Sequence, residues 1–225
     1  MALQLDDSLR GFLQRVFGCP PEVADSIGAR ASARAWPPKA VILKQGERGG
    51  ETYLVIAGRA QAVLYGLEGQ LVLLNDYGPG ELFGAIAQAD PEPHEADVTA
   101  VEAVRAAMFM AIDFLALIEA YSCVGLAVSR LLLKRLRAAN ERMVERTTLS
   151  AAGRVHAELL RRARHSRDGC TVKPMPVLAV LAVEVQSTRE TVSRTINALE
   201  RRGLIRREAD ALVITAVHRL EEMVF

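Results

Sequence analysis

Hydrophobic and polar positions alternate with a period of two in short runs between residues 41 and 110 of the chain. Glycines such as Gly46 and Gly58 separate the runs and suit tight turns. A period of two predicts strands with one buried face. The predicted strands span residues 41–43, 51–56, 60–65, 70–74, 97–101 and 106–110. Preceded by an amphipathic helix at residues 7–17, they predict a small antiparallel β-barrel.

A helical period replaces this alternation over residues 124–146, which contain no proline. Apolar residues there follow at intervals of four, three and four positions, the spacing of a two-stranded coiled coil. This seam consists of Leu132, Leu136, Ala139 and Met143. Val124, Val128 and Leu131 form a second stripe, which we expect to pack on the barrel. A helix with two apolar sides favours a homodimer over the alternative in which the whole stripe packs within one chain.

The last third of the chain combines two short helices with a hairpin. Residues 177–185 predict an apolar helix, and Gln186-Ser187 lies where a tight turn would lead to a second helix. The core-facing stripe of that second helix consists of Val192, Ile196 and Leu199. Its opposite face carries Arg189, Glu190, Ser193, Arg194 and Asn197. The helix ends at Gly203, and residues 204–207 and 212–215 predict the two strands of a wing.

The polar face of the second helix has side chains suited to the major groove of DNA. A guanidinium can donate two hydrogen bonds to guanine O6 and N7, and a carboxylate can accept one from cytosine N4. Arg189, Glu190 and Arg194 therefore suit a half-site that contains G and C. In the alternative interpretation, Glu190 closes a capping box with Ser187 and the arginines are merely solvated.

A resemblance to the bacterial CRP/FNR transcription regulators lies in the run Ser187-Thr188-Arg189-Glu190-Thr191-Val192-Ser193-Arg194 and continues through Leu199-Glu200 and Gly203-Leu204-Ile205. The resemblance implies a homodimer on double-stranded DNA, bound to an inverted repeat with TGTGA-like half-sites. It implies that Arg189, Glu190 and Arg194 contact bases. The residues assigned to backbone phosphates are Thr188, Thr191, Ser193 and Arg201.

Two departures from the family pattern concern the helix-turn-helix. Gln186 holds the turn position that is normally glycine, and Leu178 and Ala179 replace polar residues that often contact phosphate. Phosphate contacts dominate the salt-dependent part of DNA affinity. Arginines near the wing would have to offset the loss; they are Arg201, Arg202, Arg206 and Arg207.

The first half of the chain resembles the cyclic-nucleotide-binding barrel of the same family in residues 44–47, 53–59 and 80–84. The resemblance implies an α+β fold with an N-terminal antiparallel β-barrel of the jelly-roll type, a long dimerisation helix and a C-terminal winged helix-turn-helix. The implied domains are a sensor barrel (1–122), a dimerisation helix with a hinge (123–149) and a DNA-binding domain (150–225). Ser150 is a good N-cap for a helix over residues 151–164, which predicts a hinge at residues 147–153.

The effector site of this resemblance departs from that of relatives that bind cyclic nucleotides. Those relatives have a glutamate after the glycine that matches Gly84 and an Arg-Ser pair for the cyclic phosphate, whereas this chain has Ala85 and His94-Glu95. On the long helix, Ala139 and Asn140 replace the polar residues that touch the base. Residues 90–97 contain four acidic residues and neither Lys nor Arg, which disfavours an anionic ligand. We therefore expect that cyclic AMP is not the effector, and we predict no cofactor, although another small effector is compatible with the barrel.

Other chemistries find little support in the sequence. The four histidines form no H-x-H or H-x-x-x-H pair, which disfavours the alternative of a cupin-like metal enzyme, and a small-molecule-binding barrel protein is the remaining alternative. Cys19, Cys123 and Cys170 are too widely spaced to suggest an iron–sulfur cluster. We predict no enzyme activity, and an activating member of the family would also contact RNA polymerase.

Charge and composition agree with a cytoplasmic, DNA-binding protein. Residues 1–110 carry 9 Lys and Arg against 14 Asp and Glu, and residues 111–225 carry 19 against 13. The net charge of +1 is therefore the sum of an acidic first half and a basic second half. A basic surface suits DNA but also suits RNA or anionic membranes. The chain has no run long enough to cross a bilayer and no signal peptide at its start, which predicts a cytoplasmic protein with reduced cysteines and no membrane partner.

Overall fold

A computed structural model of the chain describes residues 6–65, 71–86, 92–164, 166 and 170–224. The chain divides into two compact units, Met1–Leu136 and Arg137–Phe225, which are described separately below. Residue 70 of the predicted strand over 70–74, and residues 90 and 91 of the acidic segment, lie outside the described residues.

Where the structure describes it, the first unit contains two antiparallel sheets, preceded by two helices and followed by two more. The helices are α1 (Asp7–Phe17), α2 (Pro21–Ala29), α3 (Ala111–Ala120) and the first part of α4 (Ser122–Thr148). The strands are β1 (Ser32–Trp36), β2 (Val41–Leu43), β3 (Glu51–Ala57), β4 (Ala60–Tyr65), β5 (Leu71–Tyr77), β6 (Leu82–Gly84), β7 (Asp97–Ala100) and β8 (Val104–Met110). In the described part of the unit, one sheet has the order β1-β8-β3-β6 and the other β2-β7-β4-β5. The predicted antiparallel barrel is confirmed.

Aromatic side chains fill the barrel core. The rings of Tyr53 and Phe83 stack with centroids 5.1 Å apart, and Tyr77 stacks on Phe83 at the same separation. Trp36 packs edge-on against Tyr53 with centroids 5.5 Å apart. Alternate residues of β7, such as Val98, point into this core, as the period of two in the sequence predicts.

Helix α4 extends over Ser122–Thr148, two residues beyond each end of the predicted helix. Val124 and Val128 are buried in a core cluster of the first unit, and Leu131 packs partly buried against it, as predicted for that stripe. The seam residues Leu132, Leu136 and Met143 are 47%, 58% and 60% exposed, and Ala139 is exposed as well. The single chain therefore leaves the predicted seam uncovered.

In the described residues, the second unit continues from α4 into four helices and a small antiparallel sheet. These are α5 (Ala151–Arg164), β9 (Thr171–Val172), α6 (Leu178–Glu184), α7 (Arg189–Arg201), β10 (Ile205–Arg207), β11 (Leu212–Ile214) and α8 (Val217–Glu221). The strand order is β10-β11-β9. Ser150 caps α5, because its Oγ accepts a hydrogen bond from the Gly153 N–H at 3.1 Å. The predicted helix-turn-helix with a wing is thus present.

No single helix among the described residues is long and apolar enough to cross a bilayer. Helices α3 and α4 together meet that criterion by length and composition, but they are bent by 112° relative to each other. Phe114 and Leu117 of α3 are fully buried in the core of the first unit.

Candidate nucleic-acid interface

Helix α7 has one buried and one exposed face. Val192, Ile196 and Leu199 are almost completely buried in the core of the second unit, as the sequence predicts. The helix begins at the N-cap Thr188, whose Oγ1 accepts a hydrogen bond from the Thr191 N–H at 3.1 Å. Because Ser187 precedes the cap, the capping box between Ser187 and Glu190 does not form.

The exposed face of α7 carries the three residues assigned to bases. Arg189, Glu190 and Arg194 are all exposed to solvent. The Nε of Arg194 lies 3.9 Å from Oε1 of Glu190, and their side chains are 71% and 79% exposed. An exposed pair of this kind contributes little to stability and separates easily, so both side chains are available to a ligand.

Of the residues assigned to phosphates, Thr188 and Thr191 lie at the start of α7, Ser193 follows half a turn later, and Arg201 is the last residue of the helix. The hydroxyl oxygens of Thr188 and Thr191 lie 3.0 Å apart, and either hydroxyl can donate to the other. If Thr191 donates, the hydroxyl proton of Thr188 remains for an outside acceptor. Ser193 is half-buried, and Arg201 is exposed in the last turn.

The turn before α7 has an unusual backbone. Gln186 has a φ of 48°, in the left-handed region that favours glycine. The departure noted in the sequence is therefore a non-glycine residue in a conformation that glycine adopts without strain. The Ser187 N–H, which donates to the carbonyl of Ala182 at 2.9 Å, stabilises this turn.

The four arginines near the wing differ in their surroundings. Arg207 donates to Asn197 Oδ1 at 2.6 Å, and its Nη1 lies 3.3 Å from Glu200 Oε2, so the wing is joined to the exposed face of α7. Arg206 donates to Glu208 at 2.9 Å. Arg201 and Arg202 are exposed at the end of α7. The sequence does not predict the hydrogen bond between Arg207 and Asn197, because a contact between side chains ten residues apart leaves no periodic pattern.

Gly84 and Ala85 of the predicted effector site lie where β6 meets β3. Gly84 has a φ of 91°, and a Cβ atom there would lie 2.3 Å from the carbonyl oxygen of Glu51, so only glycine fits. Ala85 is 2% exposed, its N–H donates to the Glu51 carbonyl at 2.9 Å, and its own carbonyl accepts from the Thr52 hydroxyl at 3.0 Å.

The acidic segment contributes His94 and Glu95 to the same unit. His94 is half-buried and lies over Gly49, since a Cβ atom at Gly49 would be 2.7 Å from His94 Nε2 and 3.0 Å from Glu51 Oε2. Glu95 is exposed. Ala139 and Asn140, the remaining predicted effector residues, are exposed positions of α4 in the second unit.

The barrel core ends at a charged cluster near α4. The guanidinium of Arg135 lies 5.1 Å from the centroid of the Tyr77 ring and 3.3 Å from Oε2 of Glu81. Lys134 also pairs with Glu81, at 2.8 Å. Burial raises the pKa of the Tyr77 hydroxyl, while the positive charge of Arg135 opposes that rise. Tyr77 is therefore a neutral, buried end to the aromatic stack.

The described residues contain no group of three or more His, Cys, Asp or Glu side chains arranged to hold a metal ion. Within these residues Cys19, Cys123 and Cys170 form no disulfide. The ligand set that a cupin-like metal enzyme needs is thus not assembled in the described part of the barrel.

Comparisons with known proteins agree with this architecture. Residues 33–121 match the family model of the cyclic nucleotide-binding domain, and residues 153–223 match that of the Crp-like helix-turn-helix domain. The Cyclic AMP receptor protein of Thermus thermophilus is 32% identical over 92% of this chain and 95% of its own length. The CRP-like cAMP-activated global transcriptional regulator of Mycobacterium tuberculosis is 25% identical over 90% of this chain and 92% of its own length.

Among solved structures, that of a CooA mutant from Carboxydothermus hydrogenoformans has the same fold, with a TM-score of 0.79 and 17% identity over 100% of this chain and 99% of its own. The two matched domains, their order and the full-length relatives also identify the protein as a DNA-binding regulator rather than an enzyme. The chain belongs to the CRP/FNR family of transcription regulators.

Proposed function

We propose that the protein binds, as a homodimer, an inverted repeat with TGTGA-like half-sites, through Arg189, Glu190 and Arg194 of each chain. The observation that supports this most directly is that all three side chains are exposed on one face of α7 while the opposite stripe is buried. Each arginine can contact a guanine through O6 and N7, and Glu190 can accept from cytosine N4.

The remaining residues of the interface position the helix on the DNA backbone. Thr188, Thr191, Ser193 and Arg201 contact phosphate oxygens in this proposal. Thr191 and Ser193 are half-buried, whereas Thr188 and Arg201 are exposed, so we expect the first two to contribute less.

In this proposal, helix α4 forms the dimer interface. The uncovered apolar stripe of Leu132, Leu136, Ala139 and Met143 is self-complementary about a twofold axis parallel to the helix. A twofold dimer with one recognition helix per chain requires two half-sites about one DNA turn apart, roughly 34 Å.

The same proposal excludes cyclic AMP as the effector, although two relatives are named for it. The site has the methyl group of Ala85 where a carboxylate would hold the ribose hydroxyl, and Glu95 replaces a polar residue beside the phosphate. Two like charges about 4 Å apart repel by roughly 4 kcal/mol at an effective dielectric of about 20. The segment that would bind the phosphate therefore opposes it.

Selection of bound sequences from a random pool of DNA duplexes tests the proposal. We expect an enriched inverted repeat with TGTGA-like half-sites, and no change of affinity with cyclic AMP, cyclic GMP or cyclic di-GMP. A scrambled duplex of the same composition is the matched control. Failure to prefer any inverted repeat at low salt, with or without cell extract, would contradict the DNA part, and tighter binding with cyclic AMP would contradict the effector part.

A further inference from the structure

Arg154, in the first turn of α5, holds three backbone carbonyls with one guanidinium. Its Nε donates to the carbonyl of Val185 at 2.8 Å, and its Nη2 donates to the carbonyl of Gln186 at 3.1 Å. Its Nη1 donates to the carbonyl of Leu149 at 3.0 Å. The three acceptors belong to two separate loops, the junction between α4 and α5 and the turn between α6 and α7.

These three carbonyls belong to residues at or just after the end of a helix, where backbone carbonyls lack a hydrogen-bond donor within the helix. Val185 is the C-cap of α6, Gln186 follows it, and Leu149 follows the last residue of α4. The last carbonyls of a helix have no partner inside the helix. A planar guanidinium can satisfy several carbonyls in fixed directions, whereas a lysine ammonium is a single charged point. Arginine is therefore the side chain that fits this position.

The turn at Val185 and Gln186, to which Arg154 donates, also contains a strained backbone. Gln186 is in the left-handed conformation, and Thr188, the N-cap of α7, follows two residues later. The direction in which α7 starts depends on the backbone of this turn. A charged hydrogen bond to the carbonyl of Gln186 stabilises a conformation that its own side chain disfavours.

The junction before α5 is fixed in the same way. The side chain of Leu149 packs against the core of the second unit, and Ser150 caps α5. The hydrogen bond from Arg154 to its carbonyl and the packing of its side chain both attach Leu149 to the DNA-binding domain. The end of α4 and the start of α7 are thus joined through one side chain.

We propose that Arg154 is a positioning residue for DNA recognition: it fixes the Val185–Gln186 turn to the junction at Leu149 and so presents α7 in one orientation. The inference rests on the proposed role of α7. Arg154 itself contacts no DNA in this proposal, so it affects the discrimination between sequences more than the general attraction to phosphates.

The test compares Arg154→Lys, which keeps the charge, with Arg219→Lys on the exposed face of α8 as matched control. Affinity is measured on the selected inverted repeat and on a scrambled duplex over a series of salt concentrations. We expect Arg154→Lys to weaken specific binding by roughly tenfold, the equivalent of one charged hydrogen bond, without changing the salt slope. Binding to the scrambled duplex and the behaviour of the control are expected to be unchanged.

A second substitution separates positioning from a general structural role. Because Gln186→Gly removes the strain at the turn, we expect it to restore part of the specific affinity that Arg154→Lys loses. Equal losses on the inverted repeat and on the scrambled duplex would make Arg154 a phosphate contact and overturn the proposal. Wild-type affinity in Arg154→Lys, or no restoration by Gln186→Gly, would overturn it as well.

A measurement on the wild-type chain covers the case in which the variant does not fold. We expect the Arg154 Nε–H to give a nuclear magnetic resonance signal that is protected from exchange with water in the free protein. A rapidly exchanging signal would overturn the proposal. Failure of the wild type to prefer the inverted repeat would instead contradict the proposed function, so the two failures are distinguishable.

Discussion

At position 186 the backbone takes a left-handed conformation with a glutamine, and this single residue carries a measurable cost. We expect Gln186→Gly to raise the free energy of unfolding by about 0.5–1 kcal/mol, because relief of the left-handed strain exceeds the added freedom of the unfolded chain. Denaturation in urea measures the change. Arg202→Gly is the matched control: Arg202 has a φ of −82°, so glycine there is expected to lower stability.

Arg189 and Arg201 test the difference between contacts to bases and contacts to phosphates. We expect Arg189→Ala to cost about 1–3 kcal/mol on the preferred site and to relax the preference at one guanine. Arg201→Ala is expected to weaken binding on all sequences alike and to lower the salt slope by about one. Affinities measured on variant half-sites separate the two. An equal loss on every sequence would reassign Arg189 to phosphate.

The buried side chain of His156 makes the stability of the DNA-binding unit depend on pH. It is buried, its Nδ1 has no hydrogen-bond partner among the described residues, and burial lowers the pKa of its imidazole below 6.5. A hydrogen bond with the backbone of Met223 opposes that shift, and the positive charge of Arg202 adds to it. The folded state therefore holds His156 neutral while the unfolded state binds a proton more readily.

The sign follows from this difference. Above pH 6.5 both states are neutral and His156 adds no pH dependence; as the pH falls below 6.5, stability decreases until the lowered folded pKa is passed. We expect His156→Gln to reduce the slope of the free energy of unfolding between pH 7 and pH 5. His218→Gln is the control, because His218 is exposed and lies 3.4 Å from Glu222. An unchanged slope in His156→Gln would contradict the assignment.

Among the elements, a chain of ion pairs crosses three helices of the second unit. Glu145 at the end of α4 pairs with Arg161 of α5, which pairs with Glu158. Glu158 also pairs with Arg162 at 2.9 Å, and Arg162 pairs with Glu184 of α6. The Glu158 side chain is only 15% exposed, so it is largely shielded from solvent.

Glu158 is the centre of this chain of charges. We expect Glu158→Gln to lower the free energy of unfolding by about 1–3 kcal/mol, since both arginines lose a charged partner in a half-buried site. Glu141→Gln, at an exposed position of α4, serves as the matched control. Denaturation at low and high salt measures both variants, and equal effects in the two would contradict the role of the ion pairs.

The elements that the sequence predicted best are those with a long, clean period. The buried stripe of α7 is the clearest case, whereas the barrel strands β2, β3 and β4 follow from short apolar runs bounded by turn residues. The sequence did not predict strand β1, because its apolar residues apart from Trp36 are small alanines and none of its five residues is buried. Helix α2 was missed because Pro20 and Pro21 mark its start but its nine residues give a short signal.

The side-chain contacts that organise the candidate interface could not be predicted from the sequence, for a different reason. Arg154 meets Val185 and Gln186 across more than thirty residues, and Arg207 meets Asn197 across the start of the wing. An arginine on a helix looks the same in sequence whether it is solvated or binds distant carbonyls. Only the fold determines which partners lie within reach.

On the scale of the whole molecule, the charge asymmetry has a functional consequence. The second half of the chain carries the excess of basic residues, and the recognition helix lies within it. A basic surface raises the rate of encounter with DNA and makes affinity fall with salt. The acidic first half contains residues 90–97, whose four acidic side chains are the basis for proposing that the effector is not an anion.

In the proposed function, dimerisation places one copy of α7 on each half-site of the inverted repeat. Leu136 lies in the middle of the exposed seam, and Leu136→Glu would bring two carboxylates together near the twofold axis while keeping a good helix former. We expect this variant to sediment as a monomer and to bind the full inverted repeat no better than a single half-site.

Val144→Glu is the matched control for this prediction. Val144 is 53% exposed on the same helix but lies one position past the seam residue Met143, so it faces away from the predicted partner. Analytical ultracentrifugation and affinity on full and half-sites compare the two variants. If Leu136→Glu remains a dimer while Val144→Glu dissociates, the dimer uses another face of α4. If both remain dimers with full affinity, the two recognition helices are brought together by a surface other than this helix.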